Sequence, residues 1–540
     1  MQSRFSPKDY ILIWFFLVLV GLACRPLMPI DETRAVSVAW EMWQRGDFLV
    51  PHLNGLPYSH KPPMLQWCIH LSWYLLGVCE GNARLVAPLF ALGNLIMTVK
   101  LARQLWPDDK TSAAMAPLIL LALPIWALWT TLTLYDMLTA FFALLALSGI
   151  IHASRDRPLF GWLLTAVAMG GGILSKGPAL FMMILPVALL APWWIETKPQ
   201  SGWRAWFFSL TGSVLLAAAI ALAWAIPAGF AGGEDYQRML LWGQTAGRIS
   251  HSFAHSRPFW WYFAVLPLTC LPWIVWPPLW RSVSGLMLDS GVRFCVVQSL
   301  SALVLFSLIS AKQIHYLLPM FPALALIAGR ALSLSNEPIK RKDQTPLVII
   351  TILLALLSLL PPTVGLMLTP REAAEIAGKT PQTIPLFILG IGIAVLAFRP
   401  FTPLAGVRSV AWSMFGLMLS AHLVFLQVGW PYFSMQTFAD KLAELESQGI
   451  PIAHWKKYSG DFNFIGRLPY PLTEIYDKQI LLEWIRSNSQ GYVVMIRKPD
   501  SPMSEDGAYY TQFYRGSRRI MLWKCANLSS RPDIVQQLMD

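Results

Sequence analysis

Charge is scarce in this 540-residue chain: Asp, Glu, Lys and Arg make up 13% of it, about half the share of an ordinary soluble domain. A water-soluble globule of this length is thereby excluded. Cysteine is sparse too. Cys24, Cys68, Cys79, Cys270, Cys295 and Cys525 form no CxxC pair and show no metal-ligand spacing, so neither a disulfide framework nor a zinc knuckle is expected. The basic start MQSRFSPKDY leads into an apolar run, but no small-x-small cleavage site follows before Arg25. The run is expected to remain as a first membrane helix. No internal repeat, low-complexity tract or Gly-rich phosphate loop occurs, and Gly170-Gly171-Gly172, inside an apolar segment, is expected to serve close helix packing.

What the chain does hold is apolar surface. It is 55% hydrophobic with 25 Trp and a mean hydropathy of +0.49, which together predict a polytopic α-helical membrane protein. About thirteen spans of the length needed to cross hydrocarbon are expected near 10–28, 83–102, 112–129, 137–153, 159–174, 178–195, 206–228, 260–280, 293–310, 316–333, 346–368, 383–398 and 409–428. Residues 63–78 are apolar but short and carry His70, and are expected to form a helix lying at the interface. The net charge of +12 does not point to nucleic acid, because Lys and Arg sit in short clusters between apolar segments. With Arg4 and Lys8 inside, Arg103 and Lys110, Arg155 and Arg157, Lys198 and Arg204, Arg281, Arg330 to Lys342, and Arg399 and Arg408 fall inside as well. The loops 29–82, 130–136, 175–177, 229–259, 311–315 and 369–382 then face outward, as does the C-terminus. From about residue 430 the pattern turns globular: helices over Thr437–Glu446 and Lys478–Ser487, strands over Ile450–Trp455, Tyr492–Ile496 and Ile520–Trp523. A membrane domain over 1–430 and a small α/β domain over 431–540 are expected, the latter without a catalytic constellation.

The chemistry collects on the outer side. Asp31-Glu32 stands where membrane ends and water begins, and two adjacent charges there must be hydrated or matched by ligands. The same loop continues through Arg34, Glu41 and Asp47 to Tyr58-Ser59-His60-Lys61-Pro62-Pro63, whose prolines stiffen the backbone that carries Lys61. Lys61 suits a lipid phosphate at headgroup level, or simply snorkels to the interface. Asp136 is the carboxylate of a tight outer turn, a site residue or the N-cap of the helix it precedes. Further cations and phenols follow in Ser175-Lys176-Gly177-Pro178, in Arg248 with His251, His255 and Arg257 before the run Phe259-Trp260-Trp261-Tyr262, and in Lys312-Gln313-Ile314-His315-Tyr316. The aromatic run reads as an interfacial belt. His251 and His255 have helical i, i+4 spacing but lack an acidic companion for a metal. Carboxylates and cations at one membrane face suit transfer from a phosphate-linked lipid: anions for sugar or acceptor, cations for the leaving phosphate.

These residues in this order resemble a known family. Asp31-Glu32-Thr33-Arg34, Glu41-Met42, Gly46-Asp47, Val50-Pro51-His52-Leu53, Gly55-Leu56, Tyr58 and Lys61-Pro62 are similar to the first periplasmic loop of bacterial transferases that add aminoarabinose to lipid A. Those belong with the protein O-mannosyltransferases among lipid-linked-sugar glycosyltransferases. The similarity continues through Asp136, Ser175-Lys176-Gly177, Arg248, Arg257 to Tyr262, and Lys312 with Tyr316-Leu317-Leu318-Pro319. The resemblance implies a GT-C fold in the bacterial inner membrane, with a periplasmic active site and an undecaprenyl-phosphate-linked sugar donor. It also implies a periplasmic acceptor such as lipid A, a glycan or a protein.

By position in the family, Lys61, Arg248 and Tyr316, with Lys312, would hold the lipid phosphate. Asp31, Asp136 and Glu32 would supply the catalytic carboxylates, and His60, Tyr58, Arg34 and Lys176 the rest of the pocket. The chain departs from the aminoarabinose enzymes at His60, where they carry Glu, at Gly243-Gln244, where they carry an acidic-His pair, and at Ala35 and Ser37. These departures count against the family's divalent metal and against aminoarabinose as the sugar; no other cofactor is expected. If the acceptor is a hydroxyl, Asp31 is the candidate base; if it is a phosphate, no base is needed and Asp31 orients the sugar. Direct displacement would invert the anomeric centre. A transporter would place its charges near mid-bilayer, whereas a flippase or lipid-binding protein would use the same cations without needing Asp31 or Asp136.

Overall fold

A computed structural model describes residues 8–155, 157–243, 256–335, 337–358, 383–398, 400–499, 501 and 503–537. Arg4, Gln244, Arg248, His251, His255, Arg399 and the expected outer loop from 369 to 382 lie outside them. Among the described residues seven helices are long and apolar enough to cross a membrane, including Glu80–Leu105, Asp136–Ala153, Pro158–Lys176, Gly202–Gly232 and Ser290–Leu308. An eighth is present if Lys110–Leu121 and Pro124–Thr130, bent by 77° to one another, count as one. The bend falls at Pro124, whose ring pushes Leu123 out of the helical region to φ −76°, ψ 119°. Helix α1 (Lys8–Cys24) and Pro178–Leu189, Thr345–Ser358 and Thr383–Ala397 are shorter apolar helices. The count of thirteen spans expected from hydropathy is thus not reached by the described helices. The glycine triplet packs as expected: a Cβ on Gly171 would meet Phe142 at 2.5 Å and one on Gly172 would meet Leu180 at 2.2 Å.

The segment after α1 is mostly helical. Helix α2 (Asp31–Arg45) begins with two acidic residues, favourable at the positive end of its dipole. It ends at Gly46, whose φ of +66° and N–H bond to the Trp43 carbonyl close the last turn. A short hairpin of β1 (His52–Leu53) and β2 (Leu56–Pro57) follows. Helix α3 (Met64–Leu76) buries Leu65, Ile69 and Trp73 and exposes Leu71, Tyr74, Leu75 and Leu76. Its apolar outer face suits a helix lying at the interface. His70 turns inward and donates from Nε2 to the Ala39 carbonyl at 2.8 Å.

The C-terminal part is a mixed five-stranded sheet in the order β4-β3-β5-β7-β6, formed by β3 (Ile452–Trp455), β4 (Thr473–Ile475), β5 (Tyr492–Arg497), β6 (Tyr510–Tyr514) and β7 (Arg518–Lys524). Strand β3 is parallel to β4 and β5, while β7 is antiparallel to β5 and β6. Helices Gln436–Ser447 and Lys478–Ser487 cover it, close to the ranges read from periodicity. Strands β4 and β6 carry too few alternating apolar residues to signal themselves.

The segment between β3 and β4 docks this domain on the outer loop. Ser37 donates to the Gly460 carbonyl at 2.9 Å, and Phe464 stacks on Trp73 with centroids 5.3 Å apart. Gly460 has φ +84° and lies where a Cβ would strike Leu53. Glu41 accepts from the N–H groups of Asn54 and Gly55 and from the Asn463 amide. Asn54 in turn bonds the Leu472 backbone through both ends of its side chain.

Asp461 is buried in the same joint, near Thr33, Arg34, Tyr514 and Arg515, and burial pushes its carboxyl up to about 6. A raised carboxyl favours the folded state when protonated, so its contribution is present at low pH and lost as pH rises through about 6. Asp461→Asn is expected to raise the unfolding temperature at pH 7.5 and to flatten the pH dependence of stability between about 4 and 6, which thermal scans of detergent-solubilised protein would show.

Candidate active site

The two adjacent carboxylates of α2 point to different environments, because successive helical residues are turned by about 100°. Asp31 has a side chain 74% exposed and accepts from Arg34 one turn on. Glu32, expected among the catalytic carboxylates, is instead buried. It accepts from Arg25, from the Met28 N–H at 3.1 Å and from the Thr133 N–H at 2.6 Å. Arg25, itself buried, also donates to the Thr131 carbonyl at 2.6 Å. This pair joins the end of α1, the start of α2 and the turn that leads into Asp136. Its described partners are the Arg25 guanidinium and two backbone N–H groups from separate segments.

Asp136 opens the helix Asp136–Ala153 but makes no cap bond. Its carboxylate is buried and pairs with the Lys176 ammonium. Lys176 closes the helix Pro158–Lys176, where Gly177 at φ +92° turns the chain away. An anion at one helix start thus meets a cation at another helix end, each favoured by its own dipole. The Lys176 ammonium also lies 4.9 Å from the Tyr316 ring centroid. Beside Tyr316, His315 stacks on Trp129 with centroids 5.5 Å apart. Lys61 and His315 both act electrostatically on Asp136.

Lys61 is 5.9 Å from the Tyr135 ring. The Tyr135 hydroxyl accepts from the Gln66 amide at 2.7 Å, and burial raises its pKa. Tyr58, Arg34 and Asp31 act electrostatically on the same phenol, and Tyr58 packs against His60 with ring centroids 5.1 Å apart. Of the expected site residues, Asp31, Arg34, Tyr58, His60, Lys61, Asp136, Lys176 and Tyr316 therefore gather at one end of the helices. The Arg248 side chain lies outside the described residues.

Lys312, expected to help hold the phosphate, bonds to backbone here. Its buried ammonium donates to the Arg257 carbonyl at 3.0 Å and to the Ile309 carbonyl. Burial also lowers its pKa. With the bridge between Ser256 and Ala311, Lys312 fastens the segment at Arg257 to that at Ile309. The aromatic run splits: Phe259 and Trp260 are exposed as a belt would be, while Tyr262 is buried and donates to the Gln313 carbonyl at 3.0 Å. Among the described residues no three His, Cys, Asp or Glu side chains converge as metal ligands.

Sequence reasoning missed Trp129, Tyr135, Gln66 and His315 as parts of this cluster. His315 and Tyr135 carried a signal, since each adjoins a residue that was singled out. Trp129 and Gln66 carried none, because their role is set by packing between segments far apart in sequence.

Comparison with known proteins places this geometry. Residues 60–228 match the family model described as dolichyl-phosphate-mannose-protein mannosyltransferase. The undecaprenyl phosphate-alpha-4-amino-4-deoxy-L-arabinose arabinosyl transferase of Pseudomonas aeruginosa strain LESB58 is 32% identical over 338 residues, 61% of this chain and 60% of the relative. The enzyme so named from Enterobacter sp. strain 638 is 28% identical over 336 residues, again 61% of this chain and 60% of the relative. The chain thus spans about 60% of the length of the curated relatives it matches. The crystal structure of ArnT from Cupriavidus metallidurans bound to undecaprenyl phosphate superposes with a TM-score of 0.75 at 20% identity, covering 95% of this chain and 97% of that one. Its apo form gives 0.74 at 20% identity, covering 96% and 97%. The fold is the GT-C type of that protein, as the sequence resemblance implies.

The split environments of the acidic pair make opposite demands on stability. Glu32→Ala leaves Arg25 buried without its partner and is expected to cost about 3–5 kcal/mol, whereas Asp31→Ala removes an exposed pair worth about 0–1 kcal/mol. Thermal unfolding of the two purified variants against the parent protein measures both.

Proposed function

We propose that this chain is a glycosyltransferase that moves a sugar from undecaprenyl phosphate, or a closely similar polyprenyl phosphate, to an acceptor at the outer face of the bacterial inner membrane. The observation that carries this reading is the cluster of opposed charges that brings two carboxylates, two lysines and a tyrosine together at one end of the helices. Asp31 and Asp136 lie near Lys61, Lys176 and Tyr316, on a fold shared with a transferase solved with undecaprenyl phosphate bound. The donor named in the curated relatives supports a phosphate-linked sugar.

In this reading Lys61 and Tyr316, with Arg248, receive the lipid phosphate: ammonium and guanidinium as charge, phenol as a single donor. Asp31 and Asp136 line the sugar and acceptor side, while Arg34, Tyr58, His60 and Lys176 shape the pocket and hold the carboxylates. Attack on the anomeric carbon from the face opposite the phosphate breaks the bond to the lipid phosphate and inverts the centre. Cations already in place stabilise the charge that develops on the departing phosphate, where fixed groups in a water-poor site act most strongly. The transferred group is a pentose or a hexose. His60 in place of the relatives' Glu favours a donor other than aminoarabinose.

The second reading, a flippase or lipid-binding protein, uses the same cations without chemistry at Asp31 or Asp136. Purified protein with a radiolabelled sugar on undecaprenyl phosphate separates the two, since only a transferase releases free undecaprenyl phosphate. Mass spectrometry of lipid A, surface polysaccharide and glycoproteins from cells with and without the chain identifies the acceptor. Lys61→Ala is expected to raise the donor KM about 10- to 100-fold, the loss of one charge-assisted contact. Asp136→Asn is expected to lower kcat at unchanged undecaprenyl phosphate affinity. An unaltered donor KM in the first variant, or an unaltered kcat in the second, removes the corresponding role.

A further inference from the structure

Both candidate carboxylates are already matched by cations, Asp31 by Arg34 and Asp136 by Lys176. The His315 imidazole is held differently. It is stacked on Trp129 with an interplanar angle of 24° and meets Tyr316 edge-on with centroids 4.9 Å apart, so the plane of the ring is fixed by two aromatic neighbours. Neither ring nitrogen bonds to a described residue, and the side chain is only partly buried. The charged groups acting on it are Asp136 from the helix it opens, Lys176 from the end of another helix, Lys61 from the loop before α3, and Asp31 from α2.

We infer that His315 takes the proton from the attacking group, and that the acceptor of this transferase is therefore a hydroxyl rather than a phosphate. This rests on the transferase reading above and deepens it. Burial first, and then the two lysines against the opposing pull of Asp136, favour an uncharged imidazole before reaction, the form that accepts a proton. The Asp136 carboxylate, which acts on the ring through space, then stabilises the imidazolium as it forms.

The step balances. The acceptor oxygen forms a bond to the anomeric carbon as its proton passes to an imidazole nitrogen. The bond from that carbon to the lipid phosphate oxygen breaks, with its electron pair leaving on the phosphate, and the imidazolium returns the proton to the released phosphate or to water. A phosphate acceptor arrives already anionic and has no use for a base placed among these groups.

The test uses the full-length protein in lipid nanodiscs with a radiolabelled sugar on undecaprenyl phosphate and membrane extract as acceptor. His315→Gln is expected to lower kcat about 10²- to 10⁴-fold, to leave undecaprenyl phosphate binding unchanged, and to remove the acid limb of the kcat against pH profile. The labelled product is expected to be a glycoside that survives mild acid. A product cleaved by mild acid as a glycosyl phosphate is, or a His315→Gln enzyme with unchanged kcat or pH profile, overturns the role of His315. His315→Asn serves as the second variant, with retained undecaprenyl phosphate binding as the sign of intact folding. Parent protein that releases no undecaprenyl phosphate overturns the transferase reading itself, an outcome distinct from release that is indifferent to His315.

Discussion

The guanidinium of Arg25 and the carboxylate of Glu32 are both removed from water at the end of the first membrane helix. Neither is tolerable there alone, and together they also satisfy the Met28 and Thr133 N–H groups and the Thr131 carbonyl. Burying two opposite charges gains little net stability over an apolar pair, but it fixes geometry, because a misplaced charge has no alternative partner. The geometry fixed here is that of the face which carries Asp31 and Asp136. Helix α2, which presents Asp31 and Arg34, and the turn before Asp136 are set relative to one another through these two side chains.

From that anchor the cluster is built by helix ends. Asp136 starts one helix and Lys176 finishes another, so the ion pair between them reports how two membrane helices are aligned. Lys312 does similar work with carbonyls, joining the segment at Arg257 to that at Ile309. That face therefore carries two kinds of charge, one set consumed in holding segments together and one gathered near Asp136. The proposed phosphate and sugar contacts belong to the second kind.

The sequence disclosed the membrane class, the helices and most strands of the C-terminal domain, and the segments from which the cluster is drawn, because each leaves a local trace: long apolar runs, periodicity, or a charge where charge is rare. It did not disclose which of two adjacent carboxylates is buried, since Asp31 and Glu32 differ only in their angle around a helix. Nor did it separate Lys312, tied to backbone, from Lys61, beside Tyr135, because both read as a cation in an outer loop. Hydropathy also joined residues 112–129 into one span across Pro124, where the ring forces a bend. Trp129 becomes a neighbour of His315 only through tertiary packing.

The contacts made by Gly460 and Phe464 join positions more than 400 residues apart. Helix α2 is made well before the surface that packs against Ser37 and Trp73, which follows the described membrane helices in the chain. Until that surface has folded, Ser37 and Trp73 lack the partners that hold the segment after α1 in place. Biogenesis thus has a built-in order: the segment that carries Asp31, Arg34 and Ser37 reaches its final packing only after the described membrane helices have been made.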